Sequence, residues 1–196
     1  MNIALIEKVR GFCKLLIESG RCKNLPFHNW RHTEEVVQNS ELIGKQEGLM
    51  ENVLEELIIA SYFHDTGYLN KAKGHEQLSC KYAKGFLEKE GLAVPKITNI
   101  LNLIKATEAC REPKTITQKV ICDADLAHLG RKNFKLKNAQ LRKEWENSNG
   151  SEFSNVEWTR LNITFMEEHS FYTASANSLF STQKLKNIQA LKDSIL

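Results

Sequence analysis

The chain has little that would interrupt a helix. Three prolines and ten glycines in 196 residues leave long unbroken segments, and nearly all of these repeat their apolar residues at helical rather than alternating spacing. Paired cysteines are lacking as well. Cys13, Cys22, Cys80, Cys110 and Cys122 are scattered, odd in number and free of any Cys-x-x-Cys spacing, so they read as reduced thiols, mostly core, of a cytoplasmic protein. Neither sign of charge dominates: 27 basic residues face 24 acidic ones for a net charge of +3, which gives no nucleic-acid signal. A small anionic substrate would need only a local basic pocket. No apolar run approaches the ~20 residues that span a membrane. The opening segment sets Ile3, Leu5, Ile6, Val9, Phe12, Leu15 and Leu16 among charges, which is the pattern of an amphipathic helix and not of a secretory signal. No membrane partner is expected.

What is present suits one domain, residues 1–196, with enough length for a sizeable core. The fold expected is all-α, with about nine helices. They fall at about 2–19, 29–47, 51–65, 75–90, 95–108, 113–129, 132–147, 152–169 and 171–195, the last with a possible break near Phe180 to Thr182. Pro26 and Gly91 mark stops, and residues 66–74 read as a loop.

His64-Asp65 closes the apolar run Leu57-Ile58-Ile59-Ala60-Ser61-Tyr62-Phe63. An imidazole and a carboxylate at the end of so apolar a helix are stable only with a partner. Together they suit divalent ions of intermediate character. Upstream, Phe27-His28-Asn29-Trp30-Arg31-His32 holds two histidines four positions apart, and downstream Ile121-Cys122-Asp123-Ala124-Asp125-Leu126 sets acids in an apolar segment. This order of His, His-Asp and distant Asp, each near the buried part of a separate helix, resembles the HD superfamily of metal-dependent phosphohydrolases. The resemblance covers about residues 25–130, and helices over 131–196 complete the bundle. It implies an HD-type helical bundle with a divalent ion (manganese, nickel, cobalt, iron, magnesium or zinc) held by His32, His64, Asp65 and Asp125. Asp123 competes with Asp125, but the two lie about 200° apart on a helix. The face shared with Ile121, Ala124 and His128 selects Asp125.

The spacing His-Asn-x-x-His is also similar to that of cyclic-nucleotide phosphodiesterases. That likeness implies His28 as the general acid, which suits an imidazole titrating near neutrality, and His32 as the ligand. Asp65 would orient the attacking water or join two ions. His75 stands where many HD proteins have a His-Glu segment, and would contact a second metal or a phosphate oxygen; Glu76 serves equally well as a helix N-terminal charge. Di-metal relatives carry a further histidine where this chain has Leu103-Ile104-Lys105-Ala106-Thr107, so one metal site is expected and the second stays open. Lys105, if turned inward, and Lys71 in the loop after the pair would supply positive charge for phosphate. His128 reads as a core or surface residue, His169 as part of a helix junction, and Trp30 as the tryptophan nearest a substrate base. The activity implied is hydrolysis of a phosphate ester, a nucleotide before others, by metal-activated water with a histidine general acid, as phosphomonoesterase or phosphodiesterase. A non-enzymatic nucleotide sensor and an alarmone-type pyrophosphohydrolase are the alternatives; the latter carry acids after the pair, where this chain has Thr66-Gly67-Tyr68.

Overall fold

Asn2 starts the first helix by accepting a hydrogen bond from the Leu5 amide at 3.1 Å, and α1 (Ile3–Ser19) buries Leu5, Ile6, Val9, Cys13 and Ile17 along one stripe. The computed structural model describes residues 1–69, 74–108, 111–150 and 152–195. Among these, α2 (Trp30–Gln46), α3 (Glu51–Phe63), α4 (His75–Lys89), α5 (Val94–Ala106), α6 (Ile116–Asp125), α7 (Phe134–Asn149), α8 (Asn155–Glu168) and α9 (Ala174–Asp193) follow, with no strand. No helix of the described residues is long and apolar enough to cross a membrane.

α3 explains the architecture. Every residue from Leu57 to Phe63 is buried, a pattern that only a helix surrounded on all sides can sustain, and α3 packs against α1, α2, α4, α5 and α6. Its C-terminus therefore delivers His64 and Asp65 into the middle of the bundle. Ser61 ties it to α2 through a 2.8 Å hydroxyl contact with Ser40. A smaller apolar cluster of Leu129, Phe134, Met166 and Ile188 joins α7, α8 and α9 beyond the main core.

The turn after the His-Asp pair is locked by close backbone contact. Gly67 donates to Ser79 Oγ at 2.8 Å, and that hydroxyl donates to the His64 carbonyl at 2.6 Å. A Cβ on Gly67 would stand 1.9 Å from the His75 carbonyl oxygen and 2.9 Å from the Ser79 nitrogen. Both obstacles are backbone, so Gly67→Ala is expected to force α4 away from the turn and cost about 2–3 kcal/mol. Thermal unfolding checks this, with a Tm drop of roughly 4–12 °C expected for a chain of this size.

The sixth and ninth helices differ most from the expectation. The helix expected to run through Leu129 ends at Asp125 and tightens into a 3-10 turn over Leu126–Gly130. The turn brings Gly130 against α9, where an added Cβ would lie 2.4 Å from the Phe180 carbonyl oxygen. α9 is continuous through Phe180–Thr182 because buried Phe180 anchors it, packing on Phe171 and under the Arg131 guanidinium.

Candidate active site

Asn29 accounts for the disposition of the first two histidines. As the residue capping α2, its Oδ1 accepts from the amides of Arg31 at 3.0 Å and His32 at 3.3 Å, satisfying donors the helix leaves open. Its Nδ2 donates to the carbonyls of Leu25 and Pro26, each at 3.0 Å. The cap thus holds His28 in the loop just ahead of the helix and His32 in the first turn.

At the end of α3, His64 Nδ1 donates to the Ser61 carbonyl at 2.8 Å. A carbonyl only accepts, so Nδ1 carries a proton, and in the neutral ring Nε2 keeps its lone pair. His64 Nε2 lies 3.0 Å from Asp65 Oδ2 and 3.7 Å from Asp125 Oδ1. His32 Nε2 lies 3.0 Å from Asp125 Oδ1 and 3.4 Å from Asp65 Oδ2. One ligand atom each from His32, His64 and Asp125 fall within 4.8 Å of one another. His32 Nε2, His64 Nε2 and Asp65 Oδ2 are buried without a hydrogen-bond partner. Three such atoms converging on one point are costly unless something else binds them. Two neutral imidazoles and two carboxylates match a divalent ion in donor type and charge, so the residues fit one.

Asp123 takes no part. It points the other way, as the helical spacing requires, and accepts from the amides of Tyr172 and Thr173 at 2.8 Å each and from the Thr173 hydroxyl at 2.7 Å. It docks the start of α9 onto α6.

The second oxygen of Asp65 faces a different neighbour. Oδ1 lies 3.2 Å from His75 Nε2, which is 3.6 Å from Glu76 Oε1. Tyr68 fills the space between the two outer histidines, its ring 4.1 Å from that of His28 and 4.0 Å from that of His75. Burial, together with Asp65, Glu144, Asp125 and Glu76, pushes the Tyr68 phenol far above its ordinary pKa, so it stays protonated.

Glu144, on α7, is, like Tyr68, a site residue to which the sequence alone assigns no role. Its Oε1 contacts His28 Nδ1, and its Oε2 accepts from the amides of Phe27 and His28 at 3.0 Å each. Burial opposes its charge, yet the hydrogen bonds from His28 and Phe27 hold its pKa below the ordinary value, so it is a carboxylate.

Lys105 does not turn inward; it is exposed on α5. Lys71 lies outside the described residues. Trp30 is buried against Tyr62, with Arg10 and Lys14 each 6.0 Å from its ring, and it does not line the cavity that opens on His32. His128 donates through Nδ1 to the Asp125 carbonyl at 3.2 Å and abuts Phe27. Burial and the charge of His32 push its pKa down to about 4. His169 sits at the α8–α9 junction, with Lys184 Nζ 3.3 Å from its Nδ1.

Burial works against the charged forms of His32 and His64, but Asp65 and Asp125 outweigh it and raise both pKa values above the ordinary ~6.5. In the ion-free protein these pairs contribute stability that is complete below about pH 6.5 and is lost as the pH rises through the raised values. An ion needs the neutral imidazoles, so its stabilising effect runs the other way. The rise in Tm on adding manganese is therefore expected to grow between about pH 6 and pH 8. A rise that is flat or shrinks with pH contradicts ligation through these rings.

A comparison with curated proteins finds no match. Among solved structures, the chain is similar to Bacillus subtilis YpgQ in complex with ADP, with a TM-score of 0.70 and 16% identity over 98% of this chain and 95% of that one. It is also similar to a predicted HD superfamily hydrolase from an uncultured Thermotogales bacterium, with a TM-score of 0.64 and 18% identity over 100% and 98%. A third likeness is to the Lin1889 protein from Listeria innocua, with a TM-score of 0.64 and 19% identity over 100% and 98%. At these identities the likenesses establish the fold. The family model for the HD domain matches residues 29–130, just over half of the chain and the stretch from the α2 cap to the turn after Asp125. With its His, His-Asp and Asp gathered at one point inside an all-α bundle, the chain belongs to the HD domain family.

Proposed function

We propose that this protein is a metal-dependent phosphohydrolase that cleaves a phosphate ester of a nucleotide. The observation that carries this reading is the convergence of His32, His64, Asp65 and Asp125 from three helices, with imidazole and carboxylate atoms facing one another at ion-pair distance and three of them buried without a hydrogen bond. The ADP bound by YpgQ, which shares the fold, supports a nucleotide as the ligand class.

These four residues would hold a divalent ion, which supplies Lewis acidity toward the phosphoryl group and lowers the pKa of a coordinated water. The rest of the chemistry falls to the chain. Asp65, whose two oxygens face different histidines, orients the water that attacks phosphorus in line. His75 contacts a phosphoryl oxygen from the side of Asp65 Oδ1. His28 is the general acid: its Nδ1 is held by the Glu144 carboxylate, which leaves Nε2 to protonate the leaving oxygen. Glu144, through its contact with Nδ1 and its two backbone contacts, fixes the ring. Tyr68 stacks on His28, lies tilted against His75 and holds both rings at a fixed spacing.

The test is a substrate screen of protein loaded in turn with manganese, nickel and iron, against nucleoside monophosphates, nucleoside triphosphates, cyclic nucleotides and a generic phosphodiester. Release of phosphate, pyrophosphate or nucleotide from at least one nucleotide class is expected. Nucleotide binding with no turnover under any metal would overturn the hydrolase reading in favour of a sensor.

A further inference from the structure

A cavity of about 180 Å³ begins at His32 and Asp125 and runs between α2 and the segment after α6, lined along α2 by Glu35, Val36 and Asn39 and bordered at its far end by exposed Arg131. Asn39 lies seven positions after His32 on the same helix, so the two ends lie roughly 10 Å apart at 1.5 Å per residue. The walls carry opposite charges, but only one is neutralised. Glu35 is paired with Lys137 at 2.5 Å and with Arg31 at 3.2 Å. Arg131 has no carboxylate partner among the described residues. It is fixed by a neutral acceptor, donating to Asn39 Oδ1 at 2.5 Å, and by the Phe180 ring 4.9 Å from its guanidinium carbon. Asn39 is itself fixed, donating to the Ala124 carbonyl at 3.3 Å. A planar fork of donors is thus held at the solvent-exposed end of a cavity whose other end is the candidate metal centre, with no carboxylate paired to it among the described residues.

We infer that Arg131 is an anion-binding, specificity-determining residue, and that the substrate carries a second phosphoryl group that reaches it while the first sits at the His32, His64, Asp65 and Asp125 centre. The inference rests on the phosphohydrolase reading and narrows its substrate class to nucleoside diphosphates and triphosphates. A monoester engages one end of the cavity only. A diphosphate extends one phosphoryl group further along the cavity, and contact lengths to the centre at one end and to the Arg131 guanidinium at the other make up the rest of the span. Arg131 does no bond-breaking; its contribution is to binding and register.

The experiment is calorimetric titration of manganese-loaded protein with AMP and with the α,β-methylene analogue of ADP, which resists cleavage between its phosphorus atoms. Wild type is expected to bind the analogue at least about tenfold more tightly than AMP. Arg131→Gln should weaken the analogue by roughly 10–100-fold, as loss of a charge-assisted contact implies, and change AMP by less than about threefold. Arg131→Lys, which keeps the charge but not the fork, should fall between. Equal affinity of wild type for AMP and the analogue overturns the subsite without recourse to any variant, as does a parallel loss of both ligands in Arg131→Gln. A protein that binds the analogue through Arg131 but hydrolyses no phosphate compound supports the subsite and removes the hydrolase. One that hydrolyses monoesters and shows no preference between the ligands removes the subsite and keeps the hydrolase.

Discussion

Asp65→Ala is expected to abolish both metal binding and turnover. Asp65 Oδ2 faces His32 and His64, while Oδ1 faces His75, so one truncation removes a ligand and the link to the second histidine group together. Groups that merely support a ligand change metal affinity by roughly 10–100-fold, and a direct ligand should exceed that range. Turnover should fall by at least about 10³-fold, the loss of water activation adding to the loss of orientation. Metal content after dialysis and initial rates at saturating manganese measure the two effects. Full metal content with unchanged activity contradicts the assignment. Asp123→Asn supplies the contrast: it alters the docking of α9 and is expected to lower Tm with metal content retained.

His28→Ala should cut turnover by roughly 10²–10⁴-fold, the usual range for loss of a general acid, with metal content unchanged. Glu144→Gln keeps the shape but removes the carboxylate that holds His28 Nδ1, and should give a smaller loss in kcat. The chemistry offers a readout that a structural role would not move. A substrate whose leaving group needs no proton, such as a nitrophenyl phosphodiester, should suffer far less from His28→Ala than a nucleotide does. Equal losses on both substrates contradict the general-acid role, and equal metal loss in His28→Ala and Asp65→Ala contradicts the separation of acid from ligand.

The four residues at the centre were legible because each breaks a helical pattern: a polar group stands on an apolar stripe, where it is unstable without a partner. Asn29 was legible as part of a spacing, and the structure supplies the reason, since it is the cap that holds His28 and His32. Glu144 was not, because α7 is rich in charge and its inward face is itself polar, with Lys137, Asn138 and Glu144 all buried. The signal that was there is a heptad step: Glu144 lies seven residues after Lys137 and beside the stripe of Phe134 and Leu141. The direction of Lys105 stays open in the sequence: it follows inward-facing Ile104 but stands at the rim of the α5 stripe, one turn after half-buried Leu101, and is exposed. Arg131 and the end of α6 depend on Gly130 meeting Phe180, residues fifty positions apart in the chain, and no local pattern records that contact.

Anomalous diffraction from crystals grown with manganese tests the central claim most directly. A peak at coordination distance from His32 Nε2, His64 Nε2 and carboxylate oxygens of Asp65 and Asp125 is the result expected. Imidazoles of His32 and His64 turned toward different ions, or an empty space between them at saturating manganese, would contradict it.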